Sequence, residues 1–189
     1  MSPRAPRSSP RVALRTAFSG LAILYLGLLA FTTYFPLSHV ESLTTTAEAS
    51  GLEPAWVASV IRCESRFRED VVSVAGAIGL MQIMPSTGDW IAEQLGDEIP
   101  SEPRLFDPET NLAYGCWYLA HLETRYEERH VVLWAYNAGP SRAEAWQEGE
   151  GAPFPETAAY VERIKRFLPI YRFAIRFPWI YRIAPSLPL

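Results

Sequence analysis

The 189-residue chain has one lysine, Lys165, three histidines and two cysteines. The lysine stands in no glycine-rich Walker pattern, which excludes a phosphate-cradling nucleotide loop of that kind. His39, His121 and His130 lack metal-ligand spacing, so no metal site is expected, and no cofactor either. Cys63 and Cys116 allow at most one disulfide. Two buried free thiols fit equally well, because both cysteines fall within expected helices. Alternating strand patterns are missing, although "GAIGLMQI" suits a small extended piece. Charged residues make up only 20% against 49% hydrophobic, a balance that excludes global disorder.

Charge is also missing locally. Between Arg15 and His39 lie 23 residues without Asp, Glu, Lys, Arg or His. At about 1.5 Å per residue, a helix over this run matches a hydrocarbon layer of ~30 Å, so residues 17–36 read as a transmembrane signal anchor. Four arginines and no acidic residue precede the run. That bias expects residues 1–16 in the cytosol and the remainder across the membrane, in a single pass. A cleaved signal peptide competes with this reading, but the one tidy A-x-A, Ala47-Glu48-Ala49, comes late for it.

The net charge of −4 conceals a gradient: residues 1–35 carry +4, residues 36–160 hold 7 basic against 20 acidic side chains, and residues 161–189 hold 6 against 1. So acidic a body argues against a nucleic-acid partner. The basic, aromatic segment 169–189 suits either a surface laid on anionic lipid or polymer, or a packed helix with arginines directed outward; the second is the plainer account.

After a polar connector or loose first helix at 37–49, helix start signals follow one another. Pro54 suits a first helical position, Ser86 or Thr87 a cap, and Asp107-Pro108 a cap-then-proline start with Leu112, Leu119 and Leu122 inward. Gly139-Pro140 stops a helix, Ser141 opens a short one, and another begins at Pro155. The body is therefore mainly α and a single domain.

One acidic residue stands out. Val57, Val60, Ile61 and Glu64 lie at i, i+3, i+4 and i+7, on one helical face. A carboxylate held against apolar walls loses hydration, stays protonated nearer neutral pH and can give its proton to a leaving oxygen. The plain alternative is a solvated glutamate at a helix end. Beyond it, Gly76 and Gly79 omit side chains where a polymer would approach the backbone. Ser73 and Gln82 offer a hydroxyl and an amide suited to neutral acetamido and hydroxyl groups; their bland alternatives are a local turn bond and satisfaction of buried backbone. Trp90, Trp117, Trp134 and Trp146 can stack on sugar rings, yet at helical spacing they also suit a core.

"ESRF", the nine-residue step from Glu64 to Ser73, "GAIGLMQIMPST", "NLAYGCWYL", "AYNAGP" and "PETAAY" occur in this order. Over about residues 50–168 the chain resembles the soluble lytic transglycosylase family. The resemblance implies a lysozyme-like, goose-type helical domain behind the N-terminal transmembrane helix. It implies Glu64 as the sole catalytic acid/base on the β-1,4 bond between N-acetylmuramic acid and N-acetylglucosamine of peptidoglycan. By the same likeness, Tyr160 bonds the Glu64 carboxyl, Ser73, Gly79 and Gln82 border the acetamido-sugar site with Met81 in its floor, and Tyr136 and Asn137 line the opposite wall. A core tyrosine with a satisfied hydroxyl is the alternative at Tyr136 and Tyr160.

The motifs assign no second carboxylate, so the expected route is intramolecular, ending in a 1,6-anhydro sugar. A hydrolytic muramidase on the same fold and a wall-binding module without activity are the alternatives. The expected partners are peptidoglycan strands and, through the N-terminal helix, a bacterial cytoplasmic membrane with the catalytic domain on its outer or periplasmic side. Cell-envelope protein partners stay open.

Overall fold

The computed structural model describes residues 10–97 and 102–185. It divides into two compact units: residues 37–178, and the described parts of 1–36 and 179–189. The smaller unit is built on α1 (Pro10–Tyr34), whose stretch Leu14–Tyr34 is long and apolar enough to cross a membrane, with a mean hydropathy of 1.7. In the same unit Tyr181 Oη donates to the carbonyl of Phe35 at 2.7 Å.

The larger unit is helical. Its elements are α2 (Val40–Ala49), α3 (Pro54–Glu64), α4 (Pro85–Leu95), a 3-10 turn at Glu102–Phe106, α5 (Pro108–Arg125), α6 (Arg129–Ala138), α7 (Pro140–Gln147) and α8 (Pro155–Arg176). Five of these helices begin on a proline, where the missing N–H costs nothing because that group would lack an intrahelical acceptor. Asp107 caps α5 as expected, accepting from Thr110 N at 2.9 Å. Ser86 and Thr87 do not cap α4: the cap position is Met84, and Pro85 sets the first turn.

α3 is the central helix. Ala55 through Arg62 are all buried, so its apolar character is not confined to one stripe. It packs mainly on α8, with α2 on another side. α6 contacts α7 and α8, and α5 contacts α2, α6 and the 3-10 turn. No strand forms among the described residues. The "GAIGLMQI" stretch instead makes isolated bridges, Val72 to Ile78 and Ile78 to Ile83, closed by reciprocal bonds of 3.0 Å between Ile78 and Ile83.

Both edges drawn from the sequence move outward. Segment 37–49 is no free connector, because α2 buries Leu43 and Ala47 completely. Its threonine-rich face disguises an inward pair at i and i+4. At the other end α8 runs through Pro169, and Tyr171 and Ala174 are fully buried. The start of the basic segment is thus part of the body, and Arg172 is tied to Glu53 by two bonds of 2.5 and 3.0 Å.

Candidate active site

Glu64 is the last residue of α3. The chain then turns sharply, with Arg66 and Phe67 both in the left-handed region at φ 57° and 64°. Consecutive non-glycine residues seldom adopt it, and such strain concentrates at functional sites. The Glu64 side chain is half-buried, with its carboxyl largely enclosed by protein. Tyr160, 2% exposed on α8, donates its hydroxyl to Glu64 Oε1 at 2.5 Å. Burial pushes the carboxyl up to about 7, against the opposing pull of the Tyr160 bond and of the Arg163 charge. The acid therefore exchanges its proton near neutrality. Glu69 and Asp70 are exposed, and Glu69 pairs with His39 at 2.6 Å.

One wall beside Glu64 is the loop of residues 71–84. Asn111, buried in α5, organises it: Nδ2 donates to Ile78 O at 2.9 Å and Leu105 O at 2.8 Å, and Oδ1 accepts from Met81 N at 2.7 Å. Gly79 serves this arrangement, at φ +78°, and a Cβ there would stand 2.4 Å from Asn111 Nδ2. The room that its missing side chain leaves is filled by Asn111 and by the carbonyl of Leu105. Met81 is likewise fully buried, packed where a Cβ on Gly115 would meet its sulfur at 2.2 Å. Gln82 sits at φ 51° with Nε2 donating to Val71 O and Gly79 O, so its amide nitrogen braces the loop. Ser73 Oγ accepts from Ala77 N at 2.9 Å, the local turn bond weighed from the sequence.

The opposite wall is the end of α6. Tyr136 Oη donates to Met81 O at 2.8 Å, joining the two walls, and burial followed by the Glu64 charge holds its phenol well above the usual range. Asn137 is exposed and accepts at Oδ1 from Thr157 of α8, two residues from the start of the helix that carries Tyr160. The structure therefore brings Glu64, Tyr136 and Tyr160 together. It places Ser73 and Gln82 on the facing loop with part of their hydrogen-bonding capacity spent on that loop.

Comparison with known proteins follows this geometry. The chain matches the transglycosylase SLT domain over residues 41–157. It belongs to that family. The soluble lytic murein transglycosylase of Escherichia coli K12 is 30% identical over 152 residues, covering 74% of this chain and 24% of the relative. Membrane-bound lytic murein transglycosylase C of Actinobacillus pleuropneumoniae is 36% identical over 103 residues, 49% of this chain and 28% of the relative. Among solved structures, an inactive glutamate-to-glutamine mutant of the lytic transglycosylase Slt from Pseudomonas aeruginosa aligns at a TM-score of 0.70 and 31% identity, over 75% of this chain and 25% of that one. The chain thus spans about a quarter of the length of these relatives. The fold is that of a lysozyme-like, mainly α SLT domain.

Within this SLT domain the sequence reading passed over Asn111, Gly115 and Arg163. A signal existed for the first two. Asn111, Gly115, Leu119 and Leu122 form one buried stripe of α5, and an asparagine on such a stripe needs backbone partners. Arg163 lies one turn after Tyr160, so it faces α3 too, but only the helix packing reveals that. The two cysteines are free, and burial pushes Cys63 up to about 11 and Cys116 up to about 12, so both stay protonated.

Tyr160 holds the Glu64 carboxyl through its hydrogen bond. Tyr160→Phe is expected to raise that carboxyl above about 7, since a bond favouring the ionised carboxylate is lost, and a pH titration of the Glu64 carboxyl resonance measures it. An unmoved titration would reduce Tyr160 to a packing role.

Proposed function

We propose that this chain is a membrane-anchored peptidoglycan lytic transglycosylase that cleaves the β-1,4 bond between N-acetylmuramic acid and N-acetylglucosamine and leaves 1,6-anhydro ends. The observation that carries the reading is the enclosed Glu64 carboxyl, bonded to Tyr160 and poised at about 7. Such a group serves as acid and then as base without a large penalty in either direction. The names of the relatives, lytic murein transglycosylases both soluble and membrane-bound, point the same way.

The steps follow from one carboxyl. Protonated Glu64 gives its proton to the glycosidic oxygen, the bond to the anomeric carbon breaks, and the N-acetylglucosamine side leaves with a hydroxyl. The acetamido group of the muramic sugar stabilises the positive charge at that carbon. Ionised Glu64 takes the proton from the same sugar's C6 hydroxyl, whose oxygen closes on the anomeric carbon. Glu64 ends protonated, and no water is consumed. Ser73 and Gln82 would contact the acetamido sugar from the loop, and Tyr136 and Asn137 would bound it from α6.

The anchor reading rests on the apolar span Leu14–Tyr34 and the arginines before it, which favour a cytosolic N-terminus and a catalytic body on the outer or periplasmic face. Cleavage after Ala49 would sever α2 from a body that buries its Leu43 and Ala47.

Mass spectrometry of digested peptidoglycan tests the reaction. Muropeptides ending in anhydro sugars are expected. Reducing ends one water heavier would make the enzyme a hydrolytic muramidase.

A further inference from the structure

Outside the catalytic body, the smaller unit carries a second element. After Pro178 the chain forms a last short helix, α9 (Ile180–Ile183), which packs on α1. Its Tyr181 is the residue whose hydroxyl donates to the carbonyl of Phe35 at 2.7 Å. That carbonyl lies one residue beyond the end of α1, among the groups for which a helix supplies no donor of its own. At the edge of a hydrocarbon layer water is scarce, so a donor from elsewhere in the chain takes its place.

The bond fixes the depth of α9. The span Leu14–Tyr34 has 21 residues, about 31 Å at 1.5 Å per residue, against a hydrocarbon layer of ~30 Å. Phe35 therefore stands where hydrocarbon gives way to headgroups. Two pairs of side chains divide the α9 segment. Ile180 and Ala184, four apart, are buried, whereas Trp179 and Ile183, also four apart, are exposed at 53% and 54%. Arg182 is exposed as well. At the end of α1, Tyr34 is open too, and its ring stands edge-on to that of Phe35 with centroids 4.8 Å apart. A tryptophan, a tyrosine, an isoleucine and an arginine left open at one end of an apolar span suit a membrane–water interface. Amphipathic rings sit at headgroup depth there, and an arginine reaches a phosphate. Single exposed apolar residues need no explanation, but this set is tied by a hydrogen bond to the end of a helix of bilayer length.

We infer that α9 is an interfacial membrane element, which seats Trp179 and Ile183 in the headgroup layer around the end of α1 and directs Arg182 to phospholipid phosphate. Continuity with α1 argues for lipid as the occupant of this face, because the apolar flank of α1 is open to the same surroundings. The inference rests on the membrane-anchor reading above. It adds that the chain returns to the interface 146 residues after leaving it, so that the membrane holds it at two points of the sequence.

The test uses the full chain and its Trp179→Phe variant, each reconstituted into vesicles of phosphatidylcholine and phosphatidylglycerol. Trp179 is exposed, so phenylalanine leaves the fold intact, and the difference between the two emission spectra isolates its fluorescence from that of the other tryptophans. That difference emission is expected to be blue-shifted and to lose most of its intensity when the lipids carry bromine near the headgroup. Bromine near the chain ends should quench it less, and aqueous iodide little. Strong quenching by iodide with none by brominated lipid would place Trp179 in water and overturn the inference, although the chain still floats with the vesicles. Shielding from both quenchers would assign the face to protein, a second copy of the chain, and overturn it too. Stronger quenching from the chain ends would sink α9 into the hydrocarbon and remove the interfacial role. A chain that does not float with the vesicles at all ends the anchor reading, and this inference with it.

Discussion

Glu64→Gln is expected to lower glycan cleavage by roughly 10⁴-fold and yet, above pH 7, to make the fold more stable. The loss of activity follows because one group is asked to serve as both acid and base, and an amide does neither. The gain in stability follows from linkage. The folded carboxyl sits at about 7 against the usual 4.5, so the folded state holds its proton more tightly than the unfolded chain. Below pH 4.5 both states are protonated and the buried acid costs nothing. Between 4.5 and 7 the unfolded chain loses its proton first, and stability falls as pH rises. Above 7 the deficit levels off at about 3 kcal/mol, a cost that glutamine does not carry. Thermal melts of both chains at pH 4 and pH 8, beside a turbidity assay on peptidoglycan, check the two halves separately. Equal melting points at pH 8 would mean that the carboxyl is well hydrated, and the mechanism would lose its proton donor.

Asn111→Ala is expected to destabilise the SLT domain by roughly 3–5 kcal/mol. Its side chain is fully buried and makes three hydrogen bonds to loop and turn backbone. Alanine takes the partner from Met81 N–H and from Leu105 O, while Ile78 O keeps its bond from Ile83 N. Asparagine-to-aspartate should do no better, because a carboxylate would face two carbonyl oxygens. Gly79→Ala attacks the same point from the other side, since its Cβ would displace Asn111 Nδ2. The two substitutions should therefore combine to less than the sum of their separate costs, with the contact to Leu105 O and the positive φ left as the independent part. Urea denaturation of the single and double mutants measures this. Simple additivity would show that Gly79 answers to its positive φ and to Leu105 O, 2.7 Å from that Cβ, rather than to Asn111. Because Met81 O holds Tyr136, the loop's loss should also reach the wall opposite.

The candidate acid was legible where a residue broke a local pattern. Glu64 stood out because it ended an apolar stripe, and the structure gives it an enclosed carboxyl and a tyrosine partner. The helix starts at Pro54, Pro108 and Pro155 were legible because proline at a first helical position is a local preference that needs no tertiary context. Motif position did not say which way the loop turns at Gly79 and Met81. Both turn inward, Gly79 toward Asn111 and Met81 toward Gly115. The edges of the body stayed open between packed helix and loose segment for a similar reason. Leu43 and Tyr171 are buried by elements distant in sequence, and the polar residues around them hid it.

By itself the sequence determined a mainly α chain with a long uncharged apolar helix, an acidic body and a carboxylate at the end of a buried helix. These follow from periodicity, charge and backbone preference, all of which act between near neighbours. The family resemblance implied a Tyr160 bond to that carboxylate, 96 residues away, and the fold supplies it; the tertiary structure alone decided that Asn111 holds the facing loop and that α2 and the end of α8 belong to the body. Desolvation and hydrogen bonding depend on what surrounds a group, and only packing brings distant residues close enough to supply it.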